Sequence, residues 1–404
     1  MTTHSKLGAS GAERWMNCPG SVALLDTLQV SEDTDEPSYR AEGTAMHEVA
    51  AECLKSGLDA WEYVGRWKNG VDITTDMADA VQVYLDFCRE AQAHNIRTLI
   101  EQPVSSMAHK DMFGTVDFAV VVGQPGIPHC PIGSLTAIKV VDLKGGQGIM
   151  VEATDNPQMK YYAFCLIETI QSEERVQFPD NLPVDLTIVQ PRGFHMDGPI
   201  RSWSTTWGEL RAWAYDVLIP AMQATSIDDT LEAGPWCRFC PAKLVCPMLT
   251  SLFRAASTYN PQEIVHADEA SLGRSYQYIQ GVKFYIKALE DETFRRLSQG
   301  KEVPGTVLVH KRANRVFKST VDDIPLADAA AMELGPDAWT KPELKSPPEI
   351  EKLGERGKEF VKRWAFKPET GLTVALASDK SAQPVTVKTL AARFGGAVVD
   401  PDAA

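Results

Sequence analysis

Apolar residues recur at helical spacing in some stretches of the chain and gather in short β-branched runs in others. Ser10 is placed to cap a short helix carrying Ala12, Trp15 and Met16, with Cys18 just beyond it. Residues 30–40 (VSEDTDEPSYR) are polar and read as an exposed loop. A helix over 41–56 follows, with Ala45, Val49, Ala50 and Cys53 on one face. Another spans 74–95, with Val81, Tyr84, Cys88 and Ala91 as its stripe. The pattern then changes. Residues 97–104, 113–122 and 135–143 are apolar runs between Gly and Pro turns, which predicts three strands. Asn156 caps a helix over 156–171 that has Pro157 in its first turn. A strand at 184–191 and a helix at 205–223 complete the series. This order predicts an α/β fold of mixed α+β character, with a mixed central sheet flanked by helices.

Beyond residue 260 the pattern is mainly helical. A long helix is predicted over 266–298. Leu272, Tyr276, Ile279, Val282, Ile286 and Leu289 form its apolar stripe, widened by Tyr278 and Tyr285. We read that stripe as packing against the preceding domain or a partner subunit, rather than as a DNA-stacking surface, with Lys283 and Lys287 at its solvated edge. A strand at 306–310, helices at 326–334 and 348–364, and a frayed tail over the last ten or so residues follow. The expected division is one domain over 1–260 and an accessory helical and mixed region over 261–404.

Charge and cysteine content narrow the reading. The chain carries 40 Lys and Arg against 54 Asp and Glu, a formal net charge of −14. That excludes a generic basic DNA-coating protein but not an enzyme with a local cationic groove. No apolar run is long enough to span a membrane. The first residues, MTTHSKLGAS, lack an apolar signal core, so a cytoplasmic location is expected. In that reducing compartment the eight cysteines are not expected to be a disulfide framework. The segment 307–319 is locally basic, with Lys311, Arg312, Arg315 and Lys318; contact with phosphates and a solvated loop are equal alternatives.

Four features occur in a fixed order: His47 in GTAMHEV on a helix, Asp117 in FGTVDFAVV on a strand, Asp142-Leu143-Lys144 in AIKVVDLKGG at a strand end, and Gln158 with Tyr162 in QMKYY on the next helix. Carboxylate oxygens suit Mg²⁺ or Mn²⁺, and an imidazole biases a site towards Mn²⁺. Asp142 and Lys144 point to one side of a strand, so one can hold a metal ion while the other meets the same phosphate or water. Gly145-Gly146 leaves room for a nucleic-acid backbone. Gln158 and Tyr162, four apart, share a helix face. Each element alone is weak; the ordered set is specific. His47, Gly114-x-x-Asp117, Asp142-x-Lys144 and Gln158-x-x-x-Tyr162 together resemble the PD-(D/E)XK nuclease superfamily, RecB-like branch, over about residues 8–255. The resemblance implies a restriction-endonuclease-like sheet. It implies metal ligation by His47, Asp117, Asp142 and the Leu143 carbonyl, a catalytic Lys144, and support of the site and of DNA by Gln158 and Tyr162. Val116 stands where the family name places a proline. Glu101, on the preceding strand, is an additional acidic candidate of lesser weight.

Cys237-x2-Cys240-x5-Cys246 is a tight cluster among prolines, the spacing of thiolate metal ligands, and Cys18 is the natural fourth. One remote and three local cysteines suit a [4Fe–4S] cluster better than a zinc site, with Zn²⁺ as the alternative. The arrangement is similar to the iron–sulfur clasp of AddB-type and CRISPR-associated RecB-like nucleases, which implies a structural role. Cys53, Cys88 and Cys165 read as small core residues; Cys130 beside His129 reads as a loop pair. The whole chain also resembles a family of phage-encoded RecB-like proteins. The expectation is therefore a metal-dependent exonuclease on linear single- or double-stranded DNA, acting in phage replication, recombination or DNA degradation. A helicase or a single-strand annealing protein is a fitting companion, and a homo-oligomer is compatible. The alternatives are a non-catalytic DNA-binding or assembly module on the same fold, and an iron–sulfur redox protein.

Overall fold

The structure, a computed structural model, describes residues 5–28, 38–92, 95–123, 135–146, 150–193, 195, 197–257, 268–310, 316–318, 320–321, 324–338, 344–366 and 372–376. His129, Cys130, Lys311, Arg312, Arg315, most of the 30–40 loop and the terminal tail lie outside the described residues. The chain divides into two units, Met1–Tyr285 and Ile286–Ala404, a boundary that falls inside the long helix.

The first unit is built on a five-stranded sheet. Helix α1 (Ala12–Asn17) and helix α2 (Gly20–Leu28) open it, followed by helix α3 (Ser38–Ser56). A small hairpin of strands β1 (Trp67–Lys68) and β2 (Val71–Asp72) leads into helix α4 (Thr75–Gln92). Strands β3 (Asn95–Ser105), β4 (Phe113–Val122) and β5 (Ala137–Leu143) form an antiparallel meander. Helix α5 (Pro157–Glu174) then crosses to strand β6 (Pro183–Val189), which pairs parallel to β5. Strand β7 (Ile200–Thr206) closes the order β3-β4-β5-β6-β7. The two faces of the sheet bury different sets. Residues such as Ala119, Val121, Ile138 and Val140 pack with Phe164 and Ile167 of α5 and Trp15 of α1. Phe118, Val120, Val141 and Leu143 pack with Val49 of α3 and Tyr84 of α4. This alternation follows from the period of two along a strand.

Ser10 does not cap α1: it lies inside a 3-10 turn over Ala9–Gly11, and the cap position is Gly11, which offers no side chain; α5 does follow its sequence signal. Asn156 accepts a hydrogen bond from Met159 N, and Pro157 opens α5. Residues 205–223 are not one helix. β7 runs to Thr206, which with Glu209 forms a capping box for helix α6 (Trp207–Trp213). A π-helical turn over Ala214–Leu218 and helix α7 (Ile219–Ala224) follow. Helix α8 (Pro247–Ser257) comes after the cysteine cluster, then the long helix α9 (Glu269–Ser298). On α9, Gly281 packs on Leu249 and Leu252, while Phe284 and Tyr285 join the cysteine-side core. Leu272, Tyr276, Ile279, Ile286 and Leu289 on its apolar stripe are exposed, so these residues do not pack on the rest of the described chain. The second unit has its own core, in which Ala330, Ile350, Phe360 and Trp364 meet, and a two-stranded pairing of Thr306–His310 with Leu372–Leu376. No described helix is long and apolar enough to cross a membrane.

Candidate functional site

Register lines up three acidic residues across the sheet. Ile100 pairs with Phe118 and Gln102 with Val116, so Glu101 stands opposite Asp117. Phe118 pairs with Val141, so Asp117 comes level with Asp142 on the next strand. Side chains directly opposed on neighbouring strands have Cβ atoms about 5 Å apart, where like charges repel. Glu101 also holds a left-handed backbone, φ 50°, which costs a non-glycine residue about 1–2 kcal/mol.

Helix α3 brings His47 over this row. Its Nδ1 lies 3.3 Å from Asp117 Oδ2, which also accepts a 3.0 Å hydrogen bond from Leu143 N. The ligand atoms of His47, Glu101 and Asp117 all lie within 4.8 Å of one another. Asp142, turned towards Lys144 and Gln158, is outside that group. Lys144 Nζ is 2.9 Å from Asp142 Oδ2 and donates to Gln158 Oε1 at 2.9 Å; Gln158 Nε2 reaches Asp142 Oδ1 at 3.4 Å. Asp142 is 4% exposed, and its Oδ2 is buried without a hydrogen bond of acceptable geometry.

The protonation states follow from this crowding. Burial opposes a charged imidazole at His47, but Asp117, its hydrogen bond and Asp142 outweigh it and raise the pKa from 6.5 to about 9. Burial also works against the Asp117 carboxylate, but His47, Leu143 N–H and Lys144 hold its pKa below the ordinary value. At Asp142 burial, reinforced by Asp117, prevails over Lys144 and pushes the carboxyl up. Burial and then Asp117 raise Glu101. Burial followed by the two aspartates keeps the Tyr162 phenol protonated, in a hydrogen bond with Gln158. Three carboxylates thus share a small space with one histidine and one lysine. A divalent cation fits that excess of negative charge.

Three glycine and arginine positions explain why the chain closes here. A Cβ on Gly114 would come 3.0 Å from the Tyr162 ring, so the Gly114-x-x-Asp117 and Gln158-x-x-x-Tyr162 features are one packing unit. A Cβ on Gly145 would meet Met46 Sδ at 2.7 Å; Gly145 lets the loop after β5 pack on α3, while only Gly146 faces open space. Arg192, just past β6, bonds Glu42 at 3.0 Å, Asp76 at 2.8 Å and the Gly145 carbonyl at 3.1 Å. It ties α3 and α4 to the loop carrying Lys144. Sequence reasoning missed Arg192, because an arginine in a Pro-Arg-Gly turn carries no signal of burial. A cleft lined by Thr44, His47, Glu48, Ala51, Glu52 and Glu101 opens beside the array.

The cysteines form a second constellation. Cys18, Cys237, Cys240 and Cys246 line one cavity together with Arg14 and Lys243. Cys18 follows α1, whose Trp15 is fully buried and donates to Gly8 O at 3.1 Å. Gly20 N donates to Thr230 O at 3.0 Å and Glu232 N to Cys18 Sγ at 3.3 Å, so the N-terminal segment is laced to the one preceding the cluster. A Cβ on Gly20 would lie 2.2 Å from Asp229 O, which explains the glycine. Gly234 N donates to Cys237 Sγ at 3.5 Å. Burial raises the Cys237 thiol to about 11, with Cys240, Cys18 and Cys246 adding to it. Four cysteine sulfurs facing one buried cavity are a donor set that fits a cationic core, which would take the place of the thiol protons. Among the described residues no three of these sulfurs come within 4.8 Å of one another. A tetrahedral zinc site, with Zn–S near 2.3 Å, needs sulfurs about 3.8 Å apart; a multi-iron core accepts wider spacing. Cys53, Cys88 and Cys165 are core residues with no exposed surface.

The candidate metal, catalytic and cluster residues nominated from sequence fall in two groups: His47, Asp117, Asp142, Leu143, Lys144, Gln158 and Tyr162 in the first, and the four cysteines in the second. Glu101 belongs to the first more closely than its sequence context suggests. The family model described as "Protein of unknown function (DUF2800)" matches residues 4–382, nearly the whole chain, and the chain belongs to that family.

Proposed function

We propose that this protein is a metal-dependent DNA nuclease of the PD-(D/E)XK, RecB-like type that degrades linear DNA from an end. The observation that supports it most is the convergence, from helices and strands distant in sequence, of two bonded groups rich in buried carboxylate, His47 with Asp117 and Asp142 with Lys144 and Gln158, joined through the Leu143 backbone N–H to Asp117. Mg²⁺ or Mn²⁺ would be held by His47, Asp117, Asp142 and the Leu143 carbonyl, with Glu101 within reach of the same place. When bound, the ion supplies charge against the phosphate and acidity to a water. Lys144, held between Asp142 and Gln158, keeps its ammonium directed into the array, where it neutralises a phosphate oxygen or orients the attacking water. Tyr162 stays a hydrogen-bond donor. His47 must give up its proton to ligate, so ion binding and proton release are linked.

The cysteine cavity is proposed to hold a [4Fe–4S] cluster as a clasp. Arg14, 8% exposed, and Lys243 line the same cavity and offset the charge of four thiolates. End-directed action and a role in phage DNA metabolism rest on the resemblance to clasped nucleases. The test is to mix the cluster-loaded protein with linear and covalently closed circular DNA, in Mn²⁺ and in EDTA. Loss of the linear form alone, stopped by EDTA, is expected. Survival of both forms with folded, cluster-loaded protein contradicts the enzyme reading in favour of a DNA-binding module.

A further inference from the structure

The segment between α3 and α4 carries four large apolar side chains in water. Leu58 is 43% exposed, Trp61 51%, Val64 41% and Trp67 71%. Large apolar side chains exposed together on one short segment are candidate contacts for a ligand. The hairpin is not a slack loop. Asn69 and Gly70 both have positive φ, 46° and 73°, the signature of a tight two-residue turn matched to strand twist. Gly65 N donates to Ile73 O at 2.9 Å and Ile73 N to Arg66 O at 3.0 Å, extending the ladder past β1 and β2. Lys68 turns inward to Glu52 of α3, and Val71, paired with it, packs on the α3–α4 core. The period of two then turns Trp67 outward. Trp61 is fixed by a 2.8 Å hydrogen bond from its Nε1 to Asp79 Oδ1. The fold thus fixes the Trp61 indole and leaves the Trp67 indole out in solvent.

We infer that this ribbon is a stacking platform for unpaired DNA bases, so that DNA reaches the carboxylate array as a single strand. The identity of the ligand rests on the nuclease reading. Three observations favour nucleic acid over a protein partner. The ribbon is anchored on Glu52, which lines the same cleft as His47, five residues and about 7.5 Å earlier along α3. Arg66, exposed and next to Trp67, holds its guanidinium 5.0 Å over the Tyr63 ring and suits a phosphate, and Lys55 is exposed in the last turn of α3, among the exposed carboxylates Asp59, Glu62, Asp72 and Asp79. Indole faces stack on any base, but only where bases are not already stacked in a duplex.

The test uses the full chain in EDTA, where binding is read without cleavage, with a fluorescein-labelled thymidine oligonucleotide and a duplex of equal length followed by anisotropy. Trp67→Ala is expected to weaken single-strand binding about five-fold or more, and the Trp61→Ala/Trp67→Ala pair further, while Trp67→Phe stays within about two-fold of wild type and the duplex is unaffected. Equal binding by Trp67→Ala and wild type overturns the platform, as does an equal loss on single strand and duplex, or no single-strand binding by the wild type. Oligonucleotide binding sensitive to Trp67, with no cleavage once Mn²⁺ is added, would sink the nuclease reading and leave the platform standing.

Discussion

The carboxylate array and the cysteine cavity are each gathered from segments far apart in the chain, yet they are held in different ways. The array sits on a sheet whose register alone aligns Glu101, Asp117 and Asp142, and its side chains bond to one another. The cysteines sit in a turn-rich segment and after a short helix, and their polar contacts are mostly backbone N–H groups. The array is bonded together by its own side chains without a metal, so if it holds the proposed ion, removing that ion should cost function more than fold. The cavity links segments far apart in its unit, so if it holds the proposed cluster, removing that cluster should cost fold first.

The largest stability effect is expected from Cys18→Ser or Cys237→Ser. These residues are 219 apart in sequence, and cross-linking so long a loop contributes about 5 kcal/mol in chain-entropy terms. Thermal unfolding should shift down by about 10 °C, together with loss of the broad band near about 400 nm. Unchanged unfolding would erase the contrast between the two regions. A smaller effect is expected from Gly20→Ala, whose methyl group meets the Asp229 carbonyl; overpacking of this kind costs about 1–3 kcal/mol. Gly146→Ala, which meets nothing within 4 Å, is the matched control and should leave the urea midpoint near wild type.

The smallest effect is a pH dependence of the metal-free protein. His47 is raised to about 9, so its ion pair with Asp117 stabilises the fold in full below pH 6.5 and is lost as pH rises through about 9. Asp117 is lowered, so its share is present above the ordinary carboxylate pKa and is lost as pH falls through the lowered one. Urea midpoints in EDTA for wild type and His47→Gln should therefore differ most near about pH 6 and converge near about pH 10. A difference that grows with pH would show that His47 is neutral in the fold.

Much of the sheet was legible because β3, β4 and β5 are apolar runs between Gly and Pro turns, and α5 carries its cap and proline. β7 was not. Its IRSWSTT sequence buries Arg201 and Thr205, polar residues that no hydrophobic count assigns to a strand. Arg201 is accommodated by hydrogen bonds to Gly198 O, Val151 O and Gln190 Oε1, partners supplied by the tertiary fold. α2 was missed because its burial is confined to Gly20 and Ser21. The stripe on α9 was legible as apolar but not as exposed, since periodicity identifies a face and not what covers it. In the site, residue types in order were enough to nominate His47, Asp117, Asp142 and Lys144. The weight of Glu101 and the clamp by Arg192 came only from register and contacts, which a linear sequence does not show.

If the array cuts phosphodiester bonds with Lys144 taking part, loss of that lysine must slow cleavage without unfolding the chain. The most direct measurement is degradation of end-labelled linear DNA in Mn²⁺ by anaerobically purified wild type and Lys144→Ala, matched for cluster content and thermal stability. The wild type is expected to degrade the DNA and Lys144→Ala to be slower by about a thousand-fold with its fold intact. Equal rates for the two proteins, or no degradation by either, would contradict a nuclease that uses Lys144.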